Sequence, residues 1–258
     1  PASRDYARAE RPVKYTVTLE PHGKHWLFAL DVPGTLPPGT SARHDLQLRS
    51  VRPVDARLRY DMTSYLDYRF GERLPRGFRD FALAFEEGRN PRTLALGRQW
   101  AGENPDPRRI IGRALQHFNA QFTYTLEPPL LASDDPYDEF LFDKKRGFCE
   151  HYAGSFALLM RAAGIPSRIV TGYQGGEINP LNRELIVRQA DAHAWVELWL
   201  EGEGWVRIDP TSAVSPNRID NGINAALGPI GVIPTLIAAD RLRVLANLRY
   251  AWDALDSQ

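Results

Sequence analysis

The spacing of apolar and polar positions along this chain changes period once. From Val13 to Phe70 they alternate, in the runs VKYTVTLE (13–20), KHWLFALDV (24–32), LQLRSV (46–51) and ARLRYDMTSYLDYRF (56–70). Gly/Pro clusters, PHG at 21–23 and PGTLPPG at 33–39, separate the first three. Alternation in short runs bounded by turn residues predicts antiparallel strands with one buried and one wet face. The stretch 71–90 has loop-like ends around a helical or irregular centre.

Near Thr93 the period lengthens. LALGRQWA (94–101) predicts a short helix, and RRIIGRALQHFNAQF (108–122) places Ile110, Ile111, Ala114, Leu115 and Phe118 at helical spacing behind a Pro-rich start. Residues 123–143, rich in Pro and Asp, predict a structured loop. EHYAGSFALLMRAAG (150–164) predicts a helix closed by Gly164 and Pro166. Strand patterns follow at SRIVTGY (167–173), RELIVR (183–188), AHAWVELWL (192–200) and GWVRID (204–209), and Pro210 closes the last. The uncharged stretch from Asn221 to Ala239 has the length of a bilayer span, roughly 20 residues. It is interrupted by Gly222, Gly228, Gly231, Pro229 and Pro234, and reads as a connector. DRLRVLANLRYAWDAL (240–255) is an amphipathic helix pattern. The expected fold class is α+β: an N-terminal antiparallel β unit over 1–92, a mixed core over 93–218 in which a helix packs on an antiparallel sheet, and a connector with a C-terminal helix over 219–258.

Composition narrows what such a chain does. With 43% apolar residues it is a folded protein, and 32 basic against 32 acidic side chains exclude a general nucleic-acid binder. Neutrality hides a split, with 17 basic and 13 acidic residues in 1–105 against 12 and 16 in 106–220. Ordinary surface variation accounts for that split; docking of the two units on each other is the alternative. The single cysteine, Cys149, excludes an internal disulfide, a Cys-ligated zinc site and a CxxC redox pair. If it does chemistry, it does so alone, as a nucleophile. The acidic run DDPYDEF (134–140) lacks the ligand spacing and central Gly of an EF-hand loop, so no metal is expected.

Cys149 directly precedes the helix pattern that starts at Glu150. Unpaired N–H groups and the macrodipole of a helix N-terminus favour a thiolate, Lys144, Lys145 and Arg146 lie just upstream, and the same N–H groups can receive an oxyanion. The bland alternative is a small buried hydrophobe. Of six histidines, His22, His25 and His44 belong to the β unit and His117 sits beside Phe118. His151, two residues from Cys149, points about 200° away around a helix. His193 opens the strand AHAWVELWL, and 16 residues later Asp209 ends GWVRID. Joined at LEGEG, the two strands form a hairpin that sets His193 beside Asp209, where a carboxylate fixes an imidazole's tautomer and stabilises its cation. A satisfied core histidine and a strand-ending aspartate remain the alternatives.

The three blocks RGFCEHYAGSFALLMRAAGIPSRIVTGYQGG (146–176), DAHAWVELWL (191–200) and GWVRIDPTSAV (204–214), in this order and spacing, resemble the transglutaminase-like domain, a papain-like family of cysteine acyl-transfer enzymes. The match covers about 106–218. The flanking YTVTLEPHGKHWLFALDVPG and LRYAWDAL resemble the bacterial membrane-anchored subgroup, whose domain faces the periplasm between transmembrane segments. The resemblance implies a catalytic triad of Cys149, His193 and Asp209 and acyl transfer from glutamine amides of proteins or peptides through a thioester, with no cofactor. It also implies that this chain is a piece of a longer protein tethered to the inner membrane. Hydrolysis of peptide amides, those of cell-wall peptides included, is the alternative chemistry, and a non-catalytic scaffold is the alternative class. Tyr124 is the candidate side-chain oxyanion donor. Glu150 caps its helix or perturbs the nucleophile. Asp191 supports a loop or meets a substrate amine. Trp195, on the strand face of His193, walls the site against water or packs the core.

Overall fold

The computed structural model describes residues 6–215, with side chains from residue 12 onward. The connector over 219–258 and its C-terminal helix lie outside the described residues. Two compact units form among the described residues, one from 6–73 with the segment Glu201–Trp205, the other from Leu74–Leu200 and 206–215.

The first unit contains β1 (Tyr6–Leu19), β2 (Trp26–Leu27), β3 (Val32–Pro33), β4 (Thr40–Ala42), β5 (Leu48–Ser50) and β6 (Leu58–Phe70). β1 and β6 pair antiparallel from Tyr6↔Phe70 to Leu19↔Leu58. They form one sheet in the order β1-β6-β3, and a second sheet runs β2-β5-β4. Leu27, Leu48, Val54, Tyr60 and Met62 are the buried apolar residues of this unit's cluster. The pattern KHWLFALDV, read as one strand, instead passes from one sheet to the other. Tyrosine hydroxyls hold the corner in place of a ladder: Tyr60 Oη accepts the Phe28 N–H at 3.1 Å and donates to the Phe28 carbonyl at 2.8 Å, and Tyr15 Oη accepts the Leu30 N–H at 2.7 Å. Burial pushes the Tyr60 hydroxyl pKa up to about 12, so it stays a neutral donor.

The second unit contains α1 (Arg76–Leu83), α2 (Pro91–Glu103), α3 (Pro107–Gln121), β7 (Thr123–Tyr124), α4 (Pro136–Asp138), a π-helical turn Glu139–Lys144, β8 (Arg146–Gly147) and α5 (Cys149–Ala162). Then come β9 (Ser167–Tyr173), β10 (Glu177–Ile178), β11 (Leu185–Ile186), β12 (Ala192–Leu200), β13 (Gly204–Ile208), of which Gly204 and Trp205 count with the first unit, and a 3₁₀ turn Pro210–Ala213. α5 is the central element, with Tyr152, Ala153, Phe156, Leu159 and Met160 wholly buried. Its apolar faces pack on α2, on α3 and on the sheet β13-β12-β9. Gly97 lets α2 approach α5 closely, since a Cβ there would stand 2.5 Å from the Leu159 carbonyl oxygen. α5 ends where Gly164 takes φ 81°, as its glycine predicts.

The segment 123–143, expected as a loop, is helical from Pro136 onward. Its acidic residues act as caps between distant helix starts. Asp138 accepts the Arg92 N–H (2.9 Å), the Thr93 N–H (2.7 Å) and the Thr93 hydroxyl (2.6 Å). In return, Asn90 Oδ1 accepts the N–H groups of Tyr137 (2.8 Å) and Asp138 (3.2 Å), and Asp135 accepts that of Asn90 (2.6 Å). Two helix N-termini therefore satisfy each other's orphan amides. No described helix is long and apolar enough to cross a membrane.

Candidate active site

α5 starts at Cys149, which places the thiol in the first helical turn, where backbone N–H groups have no intrahelical acceptor. β12 follows α5 in the core and presents His193 at its second residue. The strand alternates: Ala194, Val196, Leu198 and Leu200 are buried in the core, while Trp195, Glu197 and Trp199 on the opposite face are partly exposed. His193 shares that second face yet is itself buried.

His193 Nε2 and Asp209 Oδ2 are 2.6 Å apart, both side chains nearly closed to solvent. Asp209 does not swing freely, because its Oδ1 accepts the Thr211 N–H at 3.0 Å and its backbone carbonyl accepts the Ser212 hydroxyl at 2.6 Å. The carboxylate thus caps the 3₁₀ turn with one oxygen and orients the imidazole with the other. With Nε2 engaged, Nδ1 is the nitrogen left for the Cys149 thiol, which lies within reach of the ring although no directed hydrogen bond forms at Nδ1. Burial by itself lowers the His193 pKa. The hydrogen bonds and charges of Asp209 and Cys149 outweigh it, and the net direction is upward from 6.5.

Cys149 and His193 open onto a cleft of about 670 Å³, lined also by Tyr124, Tyr137, Phe148, Glu150, His151, Ile169, Thr171 and Ala194, while Asp209 stands behind His193 and outside the lining. Tyr124 reaches it from β7, which pairs parallel with β8 just ahead of Cys149. Trp100 is a core residue against His117. His151 lines the wall, but its Nδ1 faces the Phe148 N–H at 3.4 Å and its ring packs on Phe148 and Phe140. Burial lowers its pKa, so it stands neutral beside the site.

The remaining candidates occupy distinct places. Asp191 accepts the Arg188 N–H at 2.8 Å and, through its carbonyl, the Gln174 N–H at 3.0 Å, which ties down the loop leading to His193. Trp195 stacks on His193 with ring centroids 6.3 Å apart, and the Arg207 guanidinium covers it at 4.1 Å. This stack depends on Gly172, the cross-strand partner of His193, because a Cβ there would stand 2.9 Å from the Trp195 ring. Sequence reasoning missed Gly172; the strand register of TGY against AHA was its only signal. The upstream bases do not line the cleft: Lys144 pairs with Glu139 and Lys145 donates to Gln121. The polar groups nearest the sulfur are therefore those of the helix start and His193. Among the described residues no group of three or more His, Cys, Asp or Glu could hold a metal ion.

The chain matches the family model of the transglutaminase-like superfamily over residues 95–210 and that of the TgpA N-terminal domain over 1–71. It is 40% identical over 250 residues, 95% of its length, to a Pseudomonas aeruginosa protein named protein-glutamine gamma-glutamyltransferase, and spans 37% of that protein. It is 36% identical over 96 residues to YebA of Bacillus subtilis, of which it spans 13%. The crystal structure of the periplasmic domain of TgpA from Pseudomonas aeruginosa superposes with a TM-score of 0.82 at 40% identity, covering 85% of this chain and 76% of that one. Mixed helix and antiparallel sheet, the expected fold class, is thus the fold of a close relative. On its sequence and on its fold, the chain belongs to the transglutaminase-like superfamily.

Proposed function

We propose that the protein transfers acyl groups from glutamine amides of proteins or peptides through a thioester on Cys149. The observation that carries this reading is the position of one imidazole, held by Asp209 at 2.6 Å on one nitrogen and lining the same cleft as the chain's single cysteine. Cys149 attacks the amide carbon, and the tetrahedral oxyanion falls to the backbone N–H at the start of α5, with Tyr124 as the side-chain candidate on the cleft wall. His193 delivers the thiol proton to the departing ammonia and later takes a proton from the incoming nucleophile. Asp209 keeps the ring in the tautomer that leaves Nδ1 toward sulfur. The relative named protein-glutamine gamma-glutamyltransferase and the membership in the superfamily support this chemistry.

The longer protein of which this chain is a part faces the bacterial periplasm and is tethered to the inner membrane. The likeness to a periplasmic domain supports the first statement, and the matched relative, far longer than this chain, is consistent with the second. Incubation with a labelled primary amine and a glutamine-containing protein tests the activity. Incorporation of label, lost in Cys149→Ala, is the expected result. Cleavage of the same protein without incorporation would assign the cleft to peptide hydrolysis instead.

A further inference from the structure

We propose that Glu150 is the specificity-determining residue that draws a positively charged amine to the thioester. This rests on the acyl transfer proposed above and assigns the selection of its second substrate to one side chain. Glu150 follows the nucleophile on α5, is exposed, and lines the cleft. No other carboxylate and no Lys or Arg lines that cleft among the described residues. Its charge reaches two residues of the cleft walls, His151 and Tyr137.

The neighbouring carboxylates all have occupations. Asp209 holds His193, Asp191 holds the Arg188 amide, Asp138 caps α2, and Glu139 pairs with Lys144. Glu150 makes no hydrogen bond or ion pair with any described residue. A helix-stabilising role in the first turn needs a carboxylate there, but not one opening on the cleft. The other walls include Leu126, Leu131, Phe148 and Ile169, so a charge among them is less screened than one on an open surface.

The step balances without another reagent. An alkylammonium held near Glu150 loses one proton to water, and the free amine attacks the thioester carbon. The C–N bond forms and the C–S bond breaks. The second amine proton passes to His193, which restores the imidazolium beside the departing Cys149 thiolate.

The test compares n-butylamine, charged at neutral pH, with hydroxylamine, which is uncharged there, as acceptors from one glutamine-containing protein. For Glu150→Gln the ratio of their kcat/KM values should fall about fivefold, the size of a partly exposed charge pair. Glu150→Asp should restore most of the ratio, and added salt should lower it only where the carboxylate is present. An unchanged ratio with hydroxamate still formed overturns the role of Glu150 and leaves acyl transfer standing. So does an equal loss with both amines accompanied by slower iodoacetamide alkylation of Cys149, since the residue would then act through the nucleophile. If the unmodified chain forms no hydroxamate, the acyl-transfer reading falls, and the proposal with it.

Discussion

The β unit and the unit built around α5 solve the problem of buried polarity in opposite ways. In the first, five buried apolar residues suffice for the cluster, and tyrosine hydroxyls pair with backbone groups where the two sheets meet. In the second, the cluster holds twenty buried apolar residues, seven of them on α5, and several polar atoms are left open. Six of the seven buried side-chain atoms without a hydrogen-bond partner among the described residues belong to this unit. Three of them, His193 Nδ1, Trp195 Nε1 and Thr211 Oγ1, belong to the His193–Asp209 pair or to residues beside it. A buried polar atom without a partner costs stability, so a large core is the place that tolerates it and a site is the place that uses it. Open polarity concentrates where substrate is proposed to bind, and the β unit carries little of it.

The largest effect that would sharpen this contrast lies at Asp209. Asp209→Asn keeps an acceptor for the Thr211 amide but removes the charge. It should lower kcat for amine incorporation roughly 10³-fold. The pH dependence follows from the direction of the His193 shift. Because its folded pKa is raised above 6.5, the stability it contributes is complete below that value and is lost as pH rises through the higher folded value. The variant loses what raised it. Its thermal stability should therefore trail the parent at acid pH and converge with it at alkaline pH, and the alkaline limb of kcat/KM should move to lower pH. Convergence at acid pH instead would contradict the assignment of the pair.

Next in size is the core. Phe118→Ala empties a fully buried position in the aromatic cluster with Phe122, Tyr152 and Phe156, and should cost roughly 3–5 kcal/mol in chemical denaturation together with activity. Met62→Ala, buried in the β unit, should destabilise that unit and leave iodoacetamide labelling of Cys149 unchanged. Accelerated labelling of Cys149 in Met62→Ala would break the comparison. Asp138→Ala strands two N–H groups and a hydroxyl at the start of α2 and should cost about 2–3 kcal/mol. Smallest is Tyr15→Phe. It removes the hydroxyl that meets Ser64 Oγ at 2.8 Å and accepts from Leu30, and should cost about 1 kcal/mol with amine incorporation unaltered.

Much of this was legible beforehand, for reasons that particular segments make plain. β6, α3, α5, β9 and β12 declared themselves because their periodicity is carried by neighbours in the chain. The pairing of His193 with Asp209 was readable because a short hairpin fixes which ends of two strands lie together. KHWLFALDV misled because alternation says a segment is extended, and not that it stays in one sheet. Residues 123–143 misled because the groups that make them helical, Asn90 and Thr93 against Asp135 and Asp138, stand some 45 positions apart.

The order of residues alone therefore determined most of the secondary elements, the single thiol at Cys149, and the juxtaposition of His193 with Asp209. Only the folded chain decided the rest: that Lys144 and Lys145 turn away, that His151 is neutral wall, that Gly172 makes room for Trp195 over His193, and that Glu150 is the one carboxylate of the cleft among the described residues. The physical reason is one of range. Periodicity, caps and hairpins are interactions between near neighbours and are written in the local pattern. The direction and solvation of a side chain depend on whatever distant segment packs against it, and that is settled only when the core closes.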